Sequence, residues 1–341
     1  MEEGEVQKPK GKEPKKSDHR DQVQKQKLAS ELYNEAREAF AKYTKEKDTK
    51  DANHAILKFS EAITCLQSAP NNDKGSTHAK YHSERGEAFM AIGHYQKAMY
   101  DFGTAIRFDE KNAQYYANRG NCMMMLNQIN DALAEFHKAI SMKPHDGFYY
   151  FNRGLVLARL MNFTEAIKDF SKGLDEIKIG GDTKFKALFH RGNCYRQIKE
   201  YAKSIKDLTE ACDMNRDDAP AQNNLGLSYF ENQQYDMALE RFKKAIEQDP
   251  SKPTYYNNKA LALYHNELYD ESLAEYNKAL NLDPNDARTL FNRGNTYLAL
   301  RKIDLAHQDF DSAIKLMPTN AKFYHSKGLA YQDTEEFERA I

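Results

Sequence analysis

The stretch "FNRG" stands at Phe151–Gly154 and returns at Phe291–Gly294, with "ANRG" at Ala117–Gly120 and "FHRG" at Phe189–Gly192. Gly120 and Gly154 are 34 residues apart, and Gly226 and Gly294 are separated by twice that interval. A fixed period of this length marks stacked structural repeats, each too small to bury its apolar face alone. With the glycine placed at position 8 of each repeat, small residues recur at Gly86, Gly120, Gly154, Gly192, Gly226, Ala260, Gly294 and Gly328. Every step is 34 residues except that from Gly154 to Gly192, which is 38. Four extra residues around "KIGGDTK" (Lys178–Lys184) predict a longer loop there.

Position 20 carries Ala98, Ala132, Ala166, Ser204, Ala238, Ser272, Ala306 and Ala340. Four residues on stand Phe102, Phe136, Phe170, Leu208, Phe242, Tyr276 and Phe310, and three further Ala105, Ala139, Gly173, Ala211, Ala245, Ala279 and Ala313. Steps of three and four keep these side chains on one helix face. Pro144, Pro250, Pro284 and Pro318 follow where one helix must stop and the next begin.

Small at 8 and 20, aromatic at 24, small at 27 and proline at 32 resembles the tetratricopeptide repeat (TPR) family over nearly the whole chain. That resemblance implies an all-α fold, an α-solenoid of antiparallel helix pairs wound into a right-handed superhelix, with a concave groove lined by the first helix of each pair. About nine motifs are expected: an irregular first repeat at 22–69, then 79–112, 113–146, 147–184, 185–218, 219–252, 253–286, 287–320 and an incomplete 321–341. The family's tryptophan at position 4 is replaced by Tyr116, Tyr150, Tyr256 and Tyr324, which fill similar volume. In the first repeat, Ala55, Phe59 and Ala62 match a second helix, and the polar insert "TKEKDTKD" (Thr44–Asp51) separates it from the first. At the other end a helix beginning near Asp333 runs out at Ile341, so a continuation of the chain or a partner is expected to cover that face.

Position 7 is basic at Arg85, Arg119, Arg153, Arg191, Lys259, Arg293 and Lys327, while position 23 is acidic at Asp101, Glu135, Asp169, Asp207, Glu275 and Asp309. Both lie equally far from the turn between the two helices. Where position 7 is Leu225, position 23 is Arg241, so the acid is missing where the base is missing. This correlation predicts an inter-helix ion pair, within a repeat or across a boundary.

Position 6 holds Asn118, Asn152, Asn224, Asn258 and Asn292, with His190 in the repeat after the long step. In superhelical members of the family this position points into the groove. An amide can pair with both N–H and C=O of an extended peptide. Two readings stand side by side: a peptide-holding asparagine ladder, or a packing habit of the repeat. Asn121, Asn193 and Asn295 at position 9, with Phe151, Phe189 and Phe291 at position 5, complete the same stripe, the phenylalanines either as apolar anchors or as core.

The remaining features narrow the function. Lys and Arg number 50 against 51 Asp and Glu in 341 residues, so no global charge draws the chain to nucleic acid. The N-terminus lacks the apolar core of a signal peptide and no stretch is long and apolar enough for a membrane span, which predicts an intracellular, cytoplasmic protein. Its four cysteines form no C-x-x-C pair; His190 and Cys194 are four apart but have no second pair, so neither a metal nor a cofactor is expected. No phosphate loop, G-x-S-x-G or H-E-x-x-H occurs, which argues against catalysis. A carboxylate clamp would need lysine at position 5, absent from repeats two to nine. Residues 1–21 read as a disordered charged tail in which Lys8, Lys10, Lys12, Lys15 and Lys16 suit an acidic surface. The expected function is a non-catalytic scaffold holding an extended or helical partner segment within a larger assembly, ciliary or cytoskeletal. The alternative is a substrate-recognition or targeting module of an enzyme whose catalytic part lies beyond Ile341.

Overall fold

The computed structural model describes residues 16–69, 75–176 and 181–332, and throughout them the only regular element is the α-helix. Two units partition the chain, Met1–Leu160 and Met161–Ile341. The first holds α1 (Lys16–Glu46), α2 (Thr49–Gln67), α3 (Ser76–Ala91), α4 (Tyr95–Phe108), α5 (Ala113–Met125), α6 (Ile129–Met142) and α7 (Gly147–Arg159). The second holds α8 (Phe163–Glu176), α9 (Gly181–Gln197), α10 (Tyr201–Met214), α11 (Ala219–Glu231), α12 (Tyr235–Gln248), α13 (Pro253–His265), α14 (Tyr269–Leu282), α15 (Ala287–Ala299), α16 (Ile303–Leu316) and α17 (Ala321–Gln332).

Local chemistry sets where helices start and stop. Asn112, Asp146, Asp218 and Asp286 cap α5, α7, α11 and α15 by accepting a backbone N–H of the first turn. At the far end of each first helix the residue at position 15 is left-handed: Gly93, Asn127, Met161, Lys199, Gln233, Glu267 and Arg301. The next N–H reaches back five residues, as from Gln128 to Met123 and from Gln234 to Tyr229, closing a Schellman turn.

Pairs α1–α2, α3–α4 and α5–α6 in the first unit, and α9–α10, α11–α12, α13–α14 and α15–α16 in the second, pack side by side. Their contact explains the small residues. A Cβ on Gly120 would come within 3.2 Å of the Phe136 ring, and one on Gly226 within 2.6 Å of the Phe242 ring. Phe102, Phe136, Phe170, Leu208, Phe242, Tyr276 and Phe310 are wholly buried, each contributing about 1.5–3 kcal/mol.

The irregularities are absorbed by helices. The "TKEKDTKD" insert forms no loop of its own: α1 runs to Glu46 and α2 starts at Thr49. The four extra residues of the long step likewise lengthen α9 to 17 residues against 13 in α11, so Gly181–Lys184 of the expected loop are helical, while its first residues, 178–180, lie outside the described residues. Helix α1 begins at Lys16, inside the stretch expected as a tail, whereas residues 1–15, with Lys8, Lys10, Lys12 and Lys15, lie outside the described residues. So does the helix expected from Asp333.

Candidate functional site

Within each unit, consecutive first helices also touch: α3 with α5 and α5 with α7, then α9, α11, α13, α15 and α17 in succession. Consecutive second helices show no comparable packing among the described residues. First helices therefore lie together along one side of each stack.

Position 7 orients these helices. Arg85 meets Asp101 through Nε and Nη2, both at 2.8 Å; Arg191 meets Asp207 at 2.7 and 2.9 Å, and Arg293 meets Asp309 at 2.7 Å twice. Arg119–Glu135 and Lys259–Glu275 are single contacts at 2.7 and 2.9 Å. All five pairs are within a repeat. Arginine does more than the sequence pattern says, because Nη1 also donates to position 25 of the preceding repeat, Arg191 to Ser171 and Arg293 to Asn277. For Arg119 that position is Gly103, which offers no side-chain acceptor, and Arg119 Nε is left buried without one. Burial alone would raise the Asp101 carboxyl, but hydrogen bonds from Arg85 and His82 outweigh it and hold the group below the ordinary carboxylate range.

The asparagines divide by unit. In the second, Asn258 Nδ2 donates to Asn223 Oδ1 at 2.8 Å, and Asn292 Nδ2 to Asn257 Oδ1 at 3.2 Å. Asn224 Nδ2 turns back to the carbonyl of Pro220 at 2.9 Å. In the first, Asn118 is 6 % exposed, accepts from Gln114 Nε2 at 2.8 Å and donates to Glu87 Oε1 at 3.3 Å. Asn152, Asn121 and Asn295 are half-buried, and Asn193 is half-buried with Oδ1 lacking a donor. His190 lies against the rings of Phe189 and Phe170; burial, then the Lys186 charge, pushes its pKa down to about 4. Cys194 is buried and its thiol pushed up to about 12, a poor thiolate donor.

The position 5 phenylalanines pack between repeats. Phe151 is buried, Phe189 packs against the cluster of Leu208, Cys212, Ala221 and Leu225, and Phe291 stacks on Phe323 at 4.8 Å. Sequence reasoning missed Asn223 and Asn257, the partners that tie position 6 to the preceding repeat. The available signal was a spacing of 35, one residue more than the period, which also joins Arg196 to Glu231 and Tyr149 to Gln114. It missed Glu84 and Glu87 as well, which occupy positions 6 and 9 of the second repeat. Position 4 holds a further surprise: Tyr150, Tyr256 and Tyr324 each donate their hydroxyl to the position 32 carbonyl of Pro144, Pro250 and Pro318 at 3.1, 3.2 and 3.1 Å.

Tetratricopeptide repeat models match residues 185–218, 223–287 and 275–308. The chain carries tetratricopeptide repeats. This repeat protein is similar in fold to a tetratricopeptide repeat protein from Parabacteroides merdae, at 19 % identity and a TM-score of 0.57 over 74 % of this chain and 99 % of that one. It is also similar to a chain of the APC/C Cut9–Hcn1 hetero-tetramer, at 16 % identity and a TM-score of 0.55 over 96 % of this chain and 70 % of that one. A third likeness is to Pseudomonas aeruginosa pilF, at 19 % identity and 0.52 over 67 % and 98 % of the two chains. At these identities the likeness is one of fold. No curated protein matches the chain. Among its described residues no helix is long and apolar enough to cross a membrane, and no cluster of His, Cys, Asp and Glu suits a metal ion.

Proposed function

We propose that this repeat protein is a non-catalytic interaction scaffold whose inner face holds an extended or helical segment of a partner protein. The observation that carries the reading is the linked amide row of the second unit, Asn223–Asn258 and Asn257–Asn292. Each link uses one N–H of the position 6 amide, leaving the second N–H for a peptide backbone; the Asn292 carbonyl is left as well, whereas that of Asn258 also accepts from Asn257 Nδ2 at 3.5 Å. Half-buried Asn193 adds a further amide to the same stripe. Phe189 and Phe291 contribute apolar edges beside it, while their bodies fill the core. Membership in a larger assembly, ciliary or cytoskeletal, belongs to this proposal on the length of the array.

Replacing Asn224, Asn258 and Asn292 together by alanine tests it. Partner-segment affinity in calorimetry should fall by about 0.5–1.5 kcal/mol for each lost hydrogen bond. Unchanged affinity in a folded variant would leave the amides with a packing role alone.

A further inference from the structure

Helix α3 carries Glu84 and Glu87 on the inner face, one turn apart. Glu84 is fully engaged. It accepts from the Tyr33 hydroxyl and pairs with Arg37 Nε at 3.4 Å. Lys80 places its ammonium 4.9 Å from the centre of the Tyr33 ring, which itself stacks on Tyr81 at 4.1 Å. The chain's own cations thus gather at the first carboxylate.

Glu87 is different. It is half-buried, no cation pairs with it among the described residues, and its hydrogen bond comes from the neutral amide of Asn118 at 3.3 Å. A carboxylate drawn partly out of water with one neutral donor keeps unmet acceptor capacity, and the strongest donor for it is a cation. Burial first, and then the Glu84 charge, raises the Glu87 carboxyl, as expected for an acid without a counter-ion. Asn118 is steadied from behind by Gln114, so donor and carboxylate are held in place before any partner arrives.

We propose that Glu87, oriented by Asn118, receives a lysine or arginine side chain of the bound partner segment, making the inner face of the first unit selective for basic protein segments. This rests on the scaffold reading and names the partner class for one of its two units. Arg37 on Glu84 shows the same chemistry made internally one turn away. An arginine fork would use both carboxylate oxygens, whereas an ammonium would use one.

The test uses the full chain, nitrogen-15 labelled, with N-acetyl-arginine-methylamide as probe and the citrulline compound as its neutral isostere. The Asn118 side-chain amide resonance should shift saturably with the arginine probe and respond at least about tenfold more weakly to citrulline, a difference of about 1.4 kcal/mol. Glu87→Gln keeps size and an acceptor for Asn118 and should abolish the preference while the chain stays folded; Glu87→Asp should restore part of it. Equal responses to the two probes, or a preference surviving in Glu87→Gln, would overturn the inference. An uncharged glycine–serine–alanine nonapeptide is followed at the Asn258 side-chain amide in parallel. Binding there with no arginine preference at Asn118 overturns this inference and keeps the scaffold reading, whereas silence at both sites overturns both.

Discussion

In the second unit Asn258 and Asn292 donate to Asn223 and Asn257, amide to amide across successive repeats. In the first unit the corresponding Asn118 donates to a carboxylate, Glu87, and the neighbouring carboxylate Glu84 is taken up by Tyr33 and Arg37. One residue type at one position of the repeat therefore makes a neutral row in one unit and frames a charge in the other. Neighbouring side chains decide which, because an amide has both donors and acceptors and takes whatever partner the adjacent helix presents. The pattern of asparagines alone does not say what a stack recognises.

The comparison breaks most sharply through the core. Phe242→Ala should cost about 3–5 kcal/mol, because the ring is wholly buried beneath Gly226. Contacts in a stack are mainly with neighbours, so peptide binding at the Asn258 row should be lost while the arginine response at Asn118 persists. Residue-resolved hydrogen exchange would show it, and equal loss of protection in both units would contradict independent faces.

Next in size are the ion pairs. A double-mutant cycle on Arg293 and Asp309 should give a coupling of about 1–3 kcal/mol, since the pair is bidentate and Arg293 is also held by Asn277. Arg119 and Glu135, with one bond and Gly103 at position 25, should couple more weakly. Comparable coupling energies from denaturant unfolding would mean that the third partner adds nothing.

Smaller again are single inner-face changes. Asn258→Ala should lower stability by about 0.5–1.5 kcal/mol through its lost link, and Asn152→Ala by less, because no side-chain hydrogen bond holds Asn152 among the described residues. Glu87→Gln should act with opposite sign. Its folded pKa is raised, so ionised Glu87 costs stability above the ordinary glutamate range and costs none once protonated in both states. Melting of this variant should therefore rise at pH 7 and match the parent near pH 3.

The smallest effects belong to the left-handed turns. Lys199→Gly in the second unit should gain up to about 1 kcal/mol by relieving its positive φ of 63°, and Asn127→Gly in the first should gain less, since asparagine tolerates that conformation. Thermal melts of the two variants rank them directly.

The sequence by itself determined the period, the helix pair, the small residues at positions 8 and 20, the buried aromatic at 24 and the ion pair from 7 to 23. Each is either covalently local or bound by the geometry of one helical hairpin, and the missing acid opposite Leu225 made the pair visible without coordinates. The tertiary structure decided what crosses between repeats. First helices in a stack are offset so that a residue meets its neighbour 35 places back, which joins Asn258 to Asn223, Asn292 to Asn257 and Tyr149 to Gln114. That one-residue stagger comes from how side chains interlock between helices, and a period of 34 leaves it open. For the same reason the two insertions could be counted in the sequence, whereas their absorption into α1, α2 and α9 depended on the neighbouring helices available to pack against.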